Sequence, residues 1–131
     1  MEPEILIFLI AFIAPVLYWR FLFWMARNRF NKPYLRTKTG LQIHHIHYGI
    51  ILVLAGTLLI LFLGKSLWVV GIMGLGLGLI LDELVPSLLM PGNRELELEV
   101  YKKSLRGTLV LISIIVLAIL ILFGLTLILK L

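Results

Sequence analysis

Residues 46–82 read IHYGIILVLAGTLLILFLGKSLWVVGIMGLGLGLILD, and this stretch decides the fold. It holds two apolar segments, 46–63 and 67–82, with only residues 64–66 between them. Each segment approaches the roughly 20 residues that a helix needs to cross a bilayer. Because the connection is so short, we predict that the two segments form an antiparallel helical hairpin.

Two further apolar segments, 5–25 and 108–129, flank this hairpin. Pro15 in the first removes a helical hydrogen bond and predicts a kink there. The chain is 61% hydrophobic and 15% charged over 131 residues, which is too apolar for a soluble domain. We therefore predict an all-α integral membrane protein and a single membrane domain over 1–131. Its four-transmembrane-helix bundle would have a central tight helical hairpin and a short cytoplasmic interfacial helix.

Some classes of site and segment are excluded at this stage. The chain has no cysteine, so disulfides, iron–sulfur clusters and thiolate zinc sites are excluded. Glu2 and Glu4 make the start of the chain acidic, whereas a secretory signal begins with basic residues. We therefore expect the first apolar segment to be a retained helix.

Charge predicts the orientation in the membrane. Ten of the twelve lysines and arginines lie in the segments 26–45 and 91–107 or, as Arg20, beside them. Basic loops stay in the cytoplasm, which predicts both termini outside and both long loops inside. Anionic lipids are the expected partners of this basic face, with Arg20, Arg36 and Lys38 as candidate headgroup-binding residues. No nucleic-acid motif accompanies the charge, so nucleic acid is not expected as a partner.

The third apolar segment carries a glycine face. Gly71, Gly74 and Gly78 are spaced i, i+3 and i+7, which puts them on one side of a helix. Glycine lets two backbones approach closely, and such packing drives helix association in lipid. The partner could be either of the first two spans or another copy of the chain, and we expect a homo-oligomer.

A divalent-metal site is the chemistry that the ionisable residues predict. All three histidines open the second span, while two acids close the third at a similar height on the hairpin. Imidazole and carboxylate ligands suit zinc above all, or iron or manganese. The candidate ligands are His44, His47, Asp82 and Glu83, with His45 and Glu99 as further candidates. Asp82 or Glu83 would also be the candidate general base. Alternatively, the two acids end the helix and pair with Arg20 or Lys102.

The run His44-His45-Ile46-His47-Tyr48-Gly49, followed by Gly-x-Gly-x-x-x-Asp-Glu at 76–83, carries a resemblance. It resembles a group of small prokaryotic polytopic membrane proteins of uncharacterised activity. In these, a His-His pair opens one helix, and a glycine-rich stretch ending in Asp-Glu closes the next. The likeness covers 44–105 and includes Glu99-Val100-Tyr101. This chain departs from the pattern at Pro86 and around residues 90–92. The resemblance implies that the histidines and acids form one site, and it names no reaction.

Three functions follow from these residues. The first is a metal-dependent enzyme that acts on a lipid or prenyl-phosphate substrate at the cytoplasmic membrane edge. The second is a non-catalytic metal-binding or transport protein. The third is a structural or regulatory subunit of a larger membrane complex, in which the histidines and acids form a buried polar clasp. Whether the chain is an enzyme stays open at this stage.

Overall fold

The computed structural model describes residues 2–30, 44–89 and 94–129, and within them all regular structure is helical. The helices are α1 (Pro3–Phe30), α2 (His45–Leu63), α3 (Leu67–Leu89), α4 (Arg94–Lys103) and α5 (Leu105–Leu129). Four of them, all except α4, are long and apolar enough to cross a membrane. The predictions of helical structure and of four candidate spans are confirmed.

The chain divides into two compact units, Met1–Asp82 and Glu83–Leu131. The first unit contains α1, α2 and most of α3. The second contains the end of α3 together with α4 and α5, and within it Gly107 faces the side chain of Val85.

Helix α1 packs through one stripe of side chains. Leu9, Phe12, Val16 and Phe23 are buried and recur every three, four or seven residues, as one helix face requires. The helix passes through Pro15, and its one residue with non-helical dihedrals is Ala26 (φ −127°, ψ 34°). The helix is therefore interrupted at Ala26, while the kink predicted at Pro15 stays a prediction.

The glycines of α3 lie where neighbouring backbones come close. A Cβ on Gly78 would overlap the carbonyl oxygen of Phe12, and one on Gly74 would lie 2.6 Å from the carbonyl oxygen of Phe8. At Gly71 the nearest atom is the Cγ2 of Ile7, at 3.4 Å. The glycine face predicted from its spacing therefore packs against α1, within the same chain.

A second side of α3 meets α2 through another glycine. A Cβ on Gly76 would lie 2.9 Å from the carbonyl oxygen of Gly49, and a Cβ on Gly49 would lie 2.7 Å from that of Gly76. The two helices thus cross at backbone distance. Helix α3 is the central element of the first unit because it has small residues on two sides.

The turn between α2 and α3 holds the hairpin together. Gly64 has a positive φ of 79°, which an L side chain rarely adopts, and its amide donates to the carbonyl of Ile60 over 3.0 Å. The Ser66 hydroxyl accepts from the amide of Val69 over 3.4 Å at the start of α3. These contacts explain how three residues reverse the chain.

Helix α3 continues beyond the two acids at which its span was predicted to end. It passes Asp82, Glu83 and Pro86 and ends at Leu89. Both acids are buried, with exposed fractions of 0% and 4%. A charged group can remain inside an apolar helix when partners satisfy it, and the surroundings of Asp82 show how.

Candidate functional site

Three charged or polar side chains meet in the first unit, one from each of its helices. They are Arg20 of α1, His45 of α2 and Asp82 of α3, and together they are named the polar clasp. The Asp82 side chain is fully buried, and those of Arg20 and His45 are 12% and 14% exposed. The clasp therefore places ionisable groups almost out of contact with solvent.

The Asp82 carboxylate is held at both oxygens. Arg20 Nε donates to Oδ1 over 2.6 Å, and an Arg20 amino group also donates to the backbone carbonyl of Asp82 over 3.1 Å. His45 Nε2 lies 3.0 Å from Oδ2. Because a carboxylate oxygen accepts, Nε2 carries the hydrogen in this contact. Charge-assisted hydrogen bonds of this kind offset the cost of burying a carboxylate.

An aromatic side chain covers His45. The rings of Trp19 and His45 stack with centroids 5.0 Å apart and an interplanar angle of 8°. Trp19 immediately precedes Arg20, so α1 supplies both the ion-pair partner of Asp82 and the ring that orients the imidazole. This stack has no signal in the sequence, because it depends on the way that α1 and α2 cross.

Helix faces explain why these residues meet. Asp82 follows Gly78 by four residues, so it lies on the glycine face that packs on α1. Arg20 follows Val16 by four residues and continues the buried stripe of α1. His45 precedes Gly49 by four residues and therefore points toward α3. The spacing of Asp82 from the glycines was a signal in the sequence that could have placed Asp82 on the glycine face, although not against Arg20.

The other two histidines lie apart from this contact. His44 precedes α2 and has an extended backbone (φ −104°, ψ 159°). His47 Nδ1 lies 3.2 Å from the amide nitrogen of His44 and 3.1 Å from its carbonyl oxygen, and the two rings are 6.3 Å apart. His45 thus contacts Asp82, a contact that the spacing argument had expected of His44 and His47.

The remaining candidates have other described contacts. The Glu99 carboxylate pairs with Lys103 over 3.0 Å on the exposed side of α4. The backbone carbonyl of Glu83 accepts a hydrogen bond from the Ser87 hydroxyl. Arg36 and Lys38 lie outside the described residues. Within residues 2–30, 44–89 and 94–129, no three histidine, aspartate or glutamate side chains form a group that could hold a metal ion. The metal site stays a prediction.

Comparison with known proteins leaves the chain without an assigned family. No family model, curated protein or solved structure matches it. The resemblance to the small prokaryotic membrane proteins therefore rests on the motif residues alone.

Proposed function

We propose that this chain is a multi-pass membrane protein that acts as a structural or regulatory subunit of a larger membrane complex. The observation that supports this is the polar clasp. Both oxygens of the buried Asp82 carboxylate are engaged by side chains of the same unit, Arg20 and His45. The hydrogen bonds that Arg20 and His45 donate to Asp82 join α1, α2 and α3, as expected of residues that stabilise a scaffold.

The backbone contacts of the first unit support the same role. Gly49, Gly74, Gly76 and Gly78 bring three helices together at distances that leave no room for a methyl group. Interiors packed this closely resist rearrangement, since even a small change in side-chain volume disturbs the packing. Such a unit suits a fixed support better than a transporter, whose helices must move against one another.

The hydroxyl groups of the spans also favour a scaffold over a transport path. Thr57 donates to the carbonyl of Val53 over 2.8 Å, and Thr126 donates to the carbonyl of Phe123 over 2.7 Å. Both hydroxyls therefore donate to a carbonyl of their own helix, and Thr57 Oγ1 also lies 4.0 Å from Sδ of Met73 in α3. An ion path needs polar groups that line a route through the membrane.

A metal-dependent enzyme is the second candidate function, and the pair His44–His47 is the observation that favours it. Their rings lie 6.3 Å apart at the start of α2, and His47 is exposed. Two imidazoles can bind zinc, iron or manganese if an acid completes the set. The substrate would be a lipid or prenyl phosphate, held by the basic residues of this face.

One preparation tests both functions. The chain is purified from native membranes in mild detergent through a tag without histidines, beside a His44→Ala/His47→Ala variant. If the chain is a subunit, a membrane partner is expected to copurify in stoichiometric amount with the unaltered chain and with the variant. The substitutions leave the polar clasp intact and should not affect this association. Partner stoichiometry is measured by quantitative mass spectrometry, and metal content by inductively coupled plasma mass spectrometry.

The two results separate the candidates. A chain that purifies alone or only with copies of itself would contradict the subunit proposal. Near-stoichiometric zinc, iron or manganese in the unaltered chain, lost in the variant, would favour the metal-dependent enzyme. A screen of lipid and prenyl-phosphate hydrolysis would then follow.

The proposed orientation has both termini outside and the turn at residues 64–66 on the same side. The absence of native cysteine makes this measurable, because any introduced cysteine is unique. Lys65→Cys in intact cells is expected to react with a membrane-impermeant maleimide. Lys102→Cys is expected to react only after the membrane is opened. Both side chains are exposed, so a reversed pattern of labelling would overturn the orientation.

A further inference from the structure

Helices α4 and α5 of the second unit are joined without a loss of helical hydrogen bonding at Ser104. The Ser104 amide donates to the carbonyl of Val100 over 2.8 Å, and the amide of Thr108 donates to the carbonyl of Ser104 over 2.9 Å. Both bonds have the four-residue spacing of an α-helix. Side chains on either side of the junction can therefore be assigned to shared helix faces.

The two sides of this joined helix differ in burial. Ser104 and Thr108 are buried, with exposed fractions of 2% and 0%. Lys102 and Arg106 lie on the other side, since two residues along a helix correspond to a rotation of about 200°, and both are exposed. Val110 follows Arg106 by four residues and is 59% exposed. The exposed side thus passes from two cations to apolar surface within about two turns.

The acid nearest to these cations on the helix has its own partner. Glu99 precedes Lys102 by three residues, and its carboxylate lies 3.0 Å from Nζ of Lys103. Lys103 therefore balances the charge of Glu99, and the face keeps the two positive charges of Lys102 and Arg106. By contrast, Arg20, a predicted headgroup residue, is only 12% exposed and is held in the polar clasp.

We propose that this face binds one anionic phospholipid, with the phosphate between Lys102 and Arg106 and an acyl chain along Val110 and Leu117. Side chains four residues apart on a helix are neighbours, so one phosphate can accept hydrogen bonds from both cations. Leu117 follows Val110 by seven residues on the same face and is 58% exposed. The sequence of cations and then apolar side chains matches that of a phosphate headgroup and its acyl chain.

The inference rests on the membrane-spanning arrangement proposed above and not on the partner, so it is tested independently of what copurifies with the chain. Binding of phosphatidylglycerol and of phosphatidylcholine with identical acyl chains is measured by native mass spectrometry on the detergent-purified chain. Each basic residue near anionic lipid contributes about fivefold in affinity, so two predict about a 30-fold preference for phosphatidylglycerol. Equal affinity for the two lipids would overturn the proposal.

A set of variants locates the site. Lys102→Gln/Arg106→Gln is expected to abolish the preference, whereas Lys102→Arg/Arg106→Lys keeps both charges and is expected to retain it. Arg106→Gln alone should lower the affinity for phosphatidylglycerol about fivefold. Its matched control is Lys65→Gln, which removes an exposed cation from the turn between α2 and α3 and should leave the affinity unchanged. Similar losses in the two single variants would indicate general attraction and overturn the site.

A soluble competitor tests the apolar part of the face. Glycerophosphoglycerol carries the same phosphate as phosphatidylglycerol but has no acyl chains. At equal concentration it is expected to leave the bound lipid in place, because it gains nothing from Val110 and Leu117. Displacement of the lipid under these conditions would show a site for phosphate alone and overturn the assignment to a phospholipid.

Discussion

The substitution Asp82→Leu is expected to lower the free energy of unfolding by about 3–5 kcal/mol, because it removes the carboxylate that pairs with the largely buried Arg20 side chain. His45 loses its hydrogen-bond acceptor at the same time. Removing the partner of a charge in a low-dielectric interior is among the most costly changes that a single substitution can make. Reversible unfolding by sodium dodecyl sulfate in mixed micelles, followed by circular dichroism, measures the loss.

The double variant Arg20→Leu/Asp82→Leu separates charge pairing from other effects. Removing both charges together is expected to restore most of the stability, since apolar residues of similar volume often replace a buried ion pair without loss. Glu4→Leu is the matched control. It breaks the exposed pair with Lys65 and is expected to cost about 0–1 kcal/mol. Equal stability of Asp82→Leu and the double variant would show that Arg20 costs nothing without its carboxylate, and would contradict this explanation.

Gly78→Ala is expected to produce the second large effect, a loss of about 1–3 kcal/mol or more from overpacking. The added Cβ would overlap the carbonyl oxygen of Phe12 and lie 2.6 Å from Cγ of Pro15. Neither the backbone carbonyl nor the proline ring can rotate away. Helices α1 and α3 must therefore separate, and the clasp would lengthen with them. The same unfolding assay measures the stability of the variant.

A graded series makes this prediction specific to the α1–α3 contact. Gly74→Ala is expected to cost somewhat less than Gly78→Ala, because its closest atom is at 2.6 Å, and Gly71→Ala should cost little, with a nearest atom at 3.4 Å. Gly124→Ala in α5 is the control. A Cβ there meets nothing within 4 Å, and alanine is the better helix former, so no loss is expected. Similar losses at Gly78 and Gly124 would contradict the close-contact explanation.

The helices themselves could be predicted from the sequence because the signal is local. A run of apolar residues long enough to cross a bilayer consists of consecutive positions, so it can be recognised without the tertiary structure. The short segment 64–66 forces α2 and α3 together. The glycine face of α3 was predicted by its spacing alone, although its partner, α1, was not. One of the two alternatives for Asp82, pairing with Arg20, is what the structure contains.

The composition of the clasp required the tertiary structure, because it depends on how helix faces are turned. The spacing of His44 and His47 predicted neighbouring side chains, and their rings do lie 6.3 Å apart, although α2 begins at His45 and His44 precedes it in extended backbone. His45 then shares a face with Gly49, which turns its imidazole toward Asp82. The stack of Trp19 on His45 likewise depends on two helices that are distant in sequence.

Sequence by itself thus determined that this chain is helical, that four of its helices are long and apolar enough to span a membrane, and that the hairpin is tight. These properties depend on apolar length and on short connections, which neighbouring residues specify. Only the tertiary structure decided which histidine meets the acid, that Arg20 neutralises it, and that α3 continues past Asp82 and Glu83. A buried charge persists within a helix when groups from other helices satisfy it, and consecutive residues do not encode that arrangement.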